Sequence, residues 1–470
     1  MRPAPAIVWF RQDLRLFDNP ALSAASASGA PLIALYVLDE PAMGAWRHGA
    51  ASRWRLHHSL ASLARDLASR DVELVLRRGA ADLALAGLIE QTGATAVYWN
   101  RLYEPWAVRR DGEIGTRLRE RGLRVESFNA SLLFEPATLG KAYRAFTPFW
   151  RACLATPGPA TPLPAPERLV AVENVAGERL EDWRLLPTKP DWAAGFRDIW
   201  RVGESAARER LEGFTGSSAA NYGAARDAPG QEGVSRLSPH LHFGEISPRQ
   251  VWHEIVARVG EHGAPFLRQL GWREFCHHLL FANPDLPERP LDRRFERFPW
   301  RCDAEGFDVW KKGRTGYPFV DAAMRQLWRT GYIHNRARMV AASFLVKHLL
   351  LPWREGEAWF WDTLVDADLA NNACGWQWVA GCGADAAPYF RVFNPVSQGE
   401  KFDPKGAYVR RYVPELATLD AKFIHRPWEA PQEVLRAAGV ALGETYPHPI
   451  VDHAFARKRA LEAYAACRES

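Results

Sequence analysis

The chain has 470 residues, of which 47% are hydrophobic and 24% charged, the balance of an ordinary globular protein; this excludes wholesale disorder and a collagen-like fold. Its formal charge of +5 is mildly basic, which permits a polyanionic partner without demanding one, because such binding depends on a local patch. No apolar run reaches the roughly 18–20 residues of a membrane span; Ala341–Leu351, among the longest, is cut by Lys347 and His348.

In chain order, strand-like runs at Ile7–Phe10, Leu32–Leu38, Val72–Arg77, Ala96–Asn100 and Arg124–Phe128 alternate with helical patterns at about 49–70, 80–92 and 105–121. Apolar strands separated by helices predict a doubly wound, parallel five-stranded α/β domain over 1–132. The first strand starts too close to Met1 to leave room for a signal peptide, so a cytoplasmic location is expected. No GxGxxG follows it, so an ordinary dinucleotide site is not predicted there. Five prolines between Pro157 and Pro166 mark an extended stretch within a long linker, 133–200. From 201 to 470 the pattern is all-α, with helices expected at Ala206–Gly213, Pro248–Gly260, Ala264–Phe281, Tyr317–Thr330, Asn335–Leu350, Glu355–Leu364 and Ala454–Ala466. The six cysteines form no CxxC and fit neither a zinc site nor a disulfide framework; no metal is expected. Large cores explain most of the 20 tryptophans, which outnumber the 12 tyrosines, but do not easily explain why so many cluster between 300 and 378.

Three segments carry candidate chemistry. In Tyr332-Ile333-His334-Asn335-Arg336-Ala337-Arg338-Met339, the residues Asn335, Arg338 and Met339 share a helix face. An arginine and an asparagine at the mouth of an apolar helix need partners. Asp366-Ala367-Asp368-Leu369-Ala370-Asn371-Asn372-Ala373-Cys374-Gly375-Trp376-Gln377-Trp378 packs carboxylates, amides and indoles together. A DxD can hold Mg²⁺, but no phosphate-cradling glycine loop accompanies it; helix capping explains one Asp, not the whole string. Val234-Ser235-Arg236-Leu237-Ser238-Pro239 presents hydroxyl residues before a helix start, which suits a phosphate, although serine-rich caps are common.

In this order, these segments resemble the photolyase/cryptochrome family, and most closely its bacterial branch that repairs cyclobutane pyrimidine dimers. The resemblance runs from Ile7-Val8-Trp9-Phe10-Arg11-Gln12-Asp13-Leu14-Arg15 through Gly313-Arg314-Thr315-Gly316-Tyr317-Pro318 to Asp385-Ala386-Ala387-Pro388-Tyr389-Phe390-Arg391-Val392-Phe393-Asn394-Pro395. It implies an antenna domain, a linker and a helical domain (201–470) that binds FAD and DNA. It also implies a deoxyribodipyrimidine photo-lyase, in which light-excited reduced FAD lends an electron to a pyrimidine dimer flipped out of DNA. The site then needs no protein nucleophile or acid–base triad, and a damaged, poorly stacked pair is cheap to extrude.

By the same resemblance, Tyr222, Val234, Ser235, Arg236, Leu237 and Ser238 hold the FAD phosphates, although Val234 stands where the family often has Thr. Gln269, Arg273, Asn335, Arg338, Asp366, Asp368 and Asn372 complete the cofactor site, with Asn372 facing the flavin N5. Trp376, Trp353 and Trp300 form an electron relay from the flavin to the surface. The DNA face comprises Arg226, Gln269, Trp272, Arg273, Asn335, Arg336, Met339, Trp378 and Arg391. Trp106 and Ala107, within Tyr103-Glu104-Pro105-Trp106-Ala107, replace the Asn-Glu pair of the well-known folate-binding branch. Methenyltetrahydrofolate is the favoured antenna chromophore, with a deazaflavin or none as alternatives. The expected protein is a monomer without a membrane partner. The alternative reading is a cryptochrome, a blue-light receptor without repair; Asn372 in place of the Asp of plant-type cryptochromes, and the absence of a long tail, favour repair.

Overall fold

The computed structural model describes residues 4–385 and 390–469; Ala386–Tyr389, within one of the resemblance motifs, lie outside the described residues. Five parallel strands, β1 (Ala6–Phe10), β2 (Leu32–Leu38), β3 (Leu74–Arg78), β4 (Ala96–Asn100) and β5 (Arg124–Phe128), form one sheet in the order β3-β2-β1-β4-β5. Ile7 of β1 is level with Ile33 of β2 and Val97 of β4. These central strands are buried along their whole length, as expected when helices cover both faces of a parallel sheet. Side chains alternate between two apolar clusters: Val8, Phe10, Tyr36 and Tyr98 on one face, Trp9, Leu35, Val97 and Trp99 on the other.

The crossovers include α1 (Pro20–Ala27), α2 (Ala50–Ala68), α3 (Ala81–Thr92) and α4 (Pro105–Glu120). Helix α1 is absent from the sequence expectation. It has only eight Ala- and Ser-rich residues, too few for a clear period, and starts where the Asn19 side chain accepts the Leu22 N–H at 3.1 Å. Strand β3 begins at Leu74 rather than Val72, because the Val72 N–H donates to Leu67 O in the turn that ends α2. The proline-rich stretch carries no regular element; Leu163 and Asp18 tie it to the α/β part by two hydrogen bonds of 3.0 and 2.8 Å. Helix α5 (Phe146–Ala155) precedes it.

The remaining helices used below are α6 (Ser238–His242), α7 (Pro248–Val259), α8 (Ala264–Ala282), α9 (Pro318–Thr330), α10 (Asn335–Ser343), α11 (Trp353–Thr363), α12 (Leu369–Ala380) and α13 (His453–Glu469). Helix α12 is not among the helices expected from sequence. The expected helix Asn335–Leu350 ends as an α-helix at Ser343 and continues as a π-turn, Phe344–His348, in which the Leu349 N–H reaches back five residues to Phe344 O.

The chain packs as two compact units. One comprises Met1–Ala220, Ser235–Pro284 and Val365–Ala370; the other comprises Asn221–Val234, Asp285–Leu364 and Asn371–Ser470. In the second, Asp321 is a buried hub. Its carboxylate accepts from Thr315 N and Oγ1, Gly316 N and the Tyr446 hydroxyl.

Candidate functional site

The expected site residues divide between the two units. In the first, the Ser238 hydroxyl donates to Asp366 at 2.6 Å. Arg236 sits at φ 53°, a left-handed conformation uncommon outside glycine. This turns the chain so that Ser235 O accepts from Arg210 and Ser235 Oγ accepts from Leu237 N. Asp368 is 9% exposed. One of its oxygens, Oδ2, lies 3.6 Å from His242 Nδ1 and 3.5 Å from His277 Nε2. Burial opposes the Asp368 charge, but the His277 charge and hydrogen bonds from both imidazoles hold the carboxyl well below the usual range. Burial likewise opposes a charged His277, yet Asp368 raises it above the ordinary histidine value.

Helix α8 carries Gln269, Trp272 and Arg273. Trp272 stacks on Phe146 with centroids 4.0 Å apart and rings 8° from parallel, so one indole face is covered. Arg273 donates to Ser131 O at 2.8 Å and lies 3.1 Å from the Glu274 carboxylate. Glu274 also accepts the N–H groups of Leu133 and Phe134. The Arg273 charge is therefore compensated within this unit, and Gln269 is half-buried on the same helix.

In the second unit, Asn372 is buried and donates through Nδ2 to Glu357 O at 3.0 Å. Trp376 is 2% exposed and packs edge-on against Phe360, at 4.9 Å, and Trp310, at 6.2 Å. A Cβ on Gly356 would meet the Trp376 ring at 2.1 Å, so the residue opposite the indole must be small. Trp353 is 3% exposed, and Trp300 is half-buried and packs on Phe298 at 4.3 Å. Burial thus falls from Trp376 and Trp353 to Trp300, but neither the Trp376–Trp353 step nor the Trp353–Trp300 step is a direct ring contact among the described residues.

His334 caps α10: its Nδ1 accepts the Arg336 N–H at 3.2 Å. Asn335 is exposed, with Nδ2 3.9 Å from Met339 Sδ, as the i, i+4 spacing predicts. Arg338 reaches Ile333 O at 3.4 Å. Arg336 pairs with Asp227 at 3.0 Å and lies 4.2 Å over the Phe402 ring, so it is held in place. Tyr222 is buried, which pushes its hydroxyl up to about 12; Arg226 and Val234 are half-buried. Trp378 donates to Asp385 O and lines one opening with Lys347, Phe390, exposed Arg391 and Phe393. Residues that sequence reasoning missed are His242 and His277; the strings His240-Leu241-His242 and Cys276-His277-His278 were the available signal.

At the carboxyl ends of β1 and β4, where ligands bind in open α/β sheets, the Arg110 guanidinium lies 4.7 Å over Trp9 and 5.0 Å over Trp106. It pairs with Asp39 and Asp111. Glu104 accepts from Gln12 at 3.0 Å, and Tyr103 donates to Glu135 at 2.8 Å. Among the described residues no helix is long and apolar enough to cross a membrane, and no group of three or more His, Cys, Asp and Glu side chains is arranged to hold a metal.

The DNA photolyase family model matches residues 6–167, and the model for the FAD binding domain of DNA photolyase matches 266–466. A deoxyribodipyrimidine photo-lyase of Agrobacterium fabrum is 51% identical over 480 residues, covering 100% of this chain and 99% of the relative. Cryptochrome-1 of Arabidopsis thaliana is 41% identical, over 97% of this chain and 70% of the relative. The crystal structure of a bacterial class III photolyase from Agrobacterium tumefaciens superposes with a TM-score of 0.96 at 50% identity, covering 100% of this chain and 99% of that one. With both of its folded parts matched and full-length relatives at this identity, the chain belongs to the photolyase/cryptochrome family.

Proposed function

We propose that this protein is a light-driven DNA-repair lyase acting on cyclobutane pyrimidine dimers. The observation that carries the reading is full-length identity of 51% to a deoxyribodipyrimidine photo-lyase. FAD fits the residues present: a flavin ring offers both N–H donors and carbonyl acceptors. In one unit the buried carboxylates of Asp366 and Asp368 are acceptors of the kind a flavin N–H needs; in the other, the Arg338 guanidinium and the Asn372 amide are donors of the kind its carbonyls need. When bound and reduced, the cofactor supplies the light-driven electron that cleaves the dimer. The protein's part is to bind, orient and exclude water. Asn372, fixed by its bond to Glu357 O, presents its remaining amide group in one orientation, and Trp376 and Phe360 keep that wall dry.

For DNA, Trp272, with one face covered by Phe146, has one left as a flat wall for a flipped pyrimidine dimer. In the other unit, Trp378 and Arg391 offer DNA an aromatic side chain and a cation beside one opening. Repair of defined oligonucleotides under blue light tests the reading; a chain that binds FAD but repairs no cyclobutane dimer in any flavin redox state would leave the cryptochrome reading, which the 41% identity to a plant cryptochrome supports.

For the antenna we favour methenyltetrahydrofolate against the half-buried Trp106 indole. Arg110 already fills the space between Trp9 and Trp106, which disfavours a deazaflavin lodged there. Extraction and absorption spectroscopy of the purified protein decide between folate, deazaflavin and an empty site. A cytoplasmic monomer completes the proposal.

A further inference from the structure

The roles above leave unused the two imidazoles that flank Asp368. His277 Nδ1 lies 3.0 Å from Arg273 O on the preceding turn of α8. A carbonyl oxygen only accepts, so that nitrogen carries a proton. The opposite ring nitrogen, Nε2, lies 3.5 Å from Asp368 Oδ2. A neutral ring protonated at Nδ1 would aim a lone pair at a buried carboxylate; an imidazolium aims a second N–H. His242 Nδ1 lies 3.6 Å from the same oxygen, so the two rings together clamp one carboxylate. All three side chains are buried.

The charged and titratable surroundings are few. Arg273 opposes the His277 charge, and Asp368 and Glu274 favour it. His48 faces His242 from a loop near α2, with Glu40 and Arg53 beside it. Asp366 is held by Ser238. The charges that chiefly hold Asp368 ionised are those of His277 and His242. A lysine or arginine would supply that charge at every pH; a histidine supplies it conditionally.

We propose that His277 is a positioning residue whose imidazolium, with His242, holds Asp368 ionised and aimed, and so makes retention of the flavin pH-dependent. The inference rests on the reading that Asp368 is a flavin anchor. Its sign is fixed: His277 is raised above the ordinary histidine value, so the clamp is closed below that raised value and opens as pH rises through it. FAD should then be held more tightly on the acidic side of that value and released on its alkaline side.

The experiment measures FAD release from the purified holoprotein, by the fluorescence gained on dissociation, across the range from neutral to alkaline pH. The wild type should show an alkaline limb on which retention weakens by about tenfold. His277→Arg, which keeps a cation at every pH, should bind FAD without that limb; His277→Gln should sit at the weak level throughout. A wild type without the limb, or a His277→Arg variant that retains it, overturns the inference. Should His277→Gln fail to fold, the wild type and His277→Arg still decide it. A second readout needs no cofactor activity: ¹⁵N resonances of labelled histidine in the wild type should report His277 protonated on both ring nitrogens at neutral pH, and a neutral ring there overturns the clamp. A folded protein that binds no FAD at any pH overturns both this inference and the flavin reading; one that binds it equally at all pH overturns the inference alone.

Discussion

At residue scale the consequential choices are buried charges and tight contacts. Glu245 is fully buried with Arg55, His240 and Ser59. Burial works against its ionised form, but Arg55 and His240 lower it to about 2. Removing one member of such a set strands the other charge in the interior, which costs about 3–5 kcal/mol. Glu245→Gln should therefore lower the denaturation midpoint clearly, while Glu245→Asp should cost less. Because the folded-state value is depressed, this stability is present above the ordinary carboxylate range and is lost as pH falls toward 2; an acid-unfolding curve that is unchanged in Glu245→Gln would contradict the assignment. Gly356 makes a separate prediction. A valine there must displace the Trp376 ring, an overpacking cost of about 1–3 kcal/mol. In the proposed relay, Trp376→Phe should stop light-driven flavin reduction and spare repair by chemically reduced enzyme. Unchanged photoreduction in that variant would assign the electron route to other indoles, such as Trp359 or Trp361.

At element scale, the π-turn after α10 and the last helix, α13, are joined through histidines. His348 Nε2 lies 2.9 Å from His453 Nδ1 at the start of α13, and Arg459 donates to His348 O. Burial, then the neighbouring His453 and Arg459 charges, lowers His348 to about 3. The unfolded chain therefore takes up a proton at this residue near its ordinary value, while the folded chain refuses it down to about 3. Stability falls progressively across that window as pH drops. The expected outcome is earlier amide exchange of α13 at pH 5 than at pH 7.5, after correction for intrinsic rates, and a smaller pH difference in His348→Gln. The sequence shows the apolar run Ala341–Leu351 but not its switch from α to π winding. That switch follows from Leu349 and Leu351 bonding to Phe344 and Leu345, a choice made by packing rather than by local propensity.

At the scale of the whole molecule, the predictions concern the lesion and the DNA. Undoing a (6-4) photoproduct moves a hydroxyl or amino group between bases and needs a proton donor; a cyclobutane dimer needs only an electron delivered and returned. The (6-4) branch carries histidines at the positions of Asn335 and Met339, and neither residue here can act as a general acid. His334 is next in sequence but is committed as the α10 cap, accepting from Arg336 N. Gln269 argues the other way, standing where cyclobutane enzymes usually carry Glu, yet its amide still offers an acceptor and a donor to a base. Cyclobutane repair without (6-4) repair is therefore expected, and separate assays on each lesion check it; efficient (6-4) turnover would reverse the assignment. Binding should also weaken steeply with salt through phosphate contacts. Arg391→Ala should reduce the salt slope, whereas Arg336→Ala, whose cation is paired with Asp227, should change it less.

The sequence by itself determined the class of fold and the family. Periodicity separated five apolar strands from a helical remainder, because burial on both sheet faces leaves unbroken runs such as Leu32–Leu38. Long linear motifs such as Asp366–Trp378 carried the family resemblance, because a motif is legible in the chain before it folds. The tertiary structure alone decided what depends on residues distant in the chain. The order β3-β2-β1-β4-β5 comes from crossovers, one of them the short α1 that has too few residues to show a period. The commitment of Arg273 to Ser131 and Glu274, and of Arg336 to Asp227, comes from groups brought close by packing. The proposed clamp on Asp368 joins α6, α8 and the residue just before α12: His242, His277 and Asp368. No spacing rule links them: a buried carboxylate recruits its compensating cation by proximity in space, and only the fold sets that proximity.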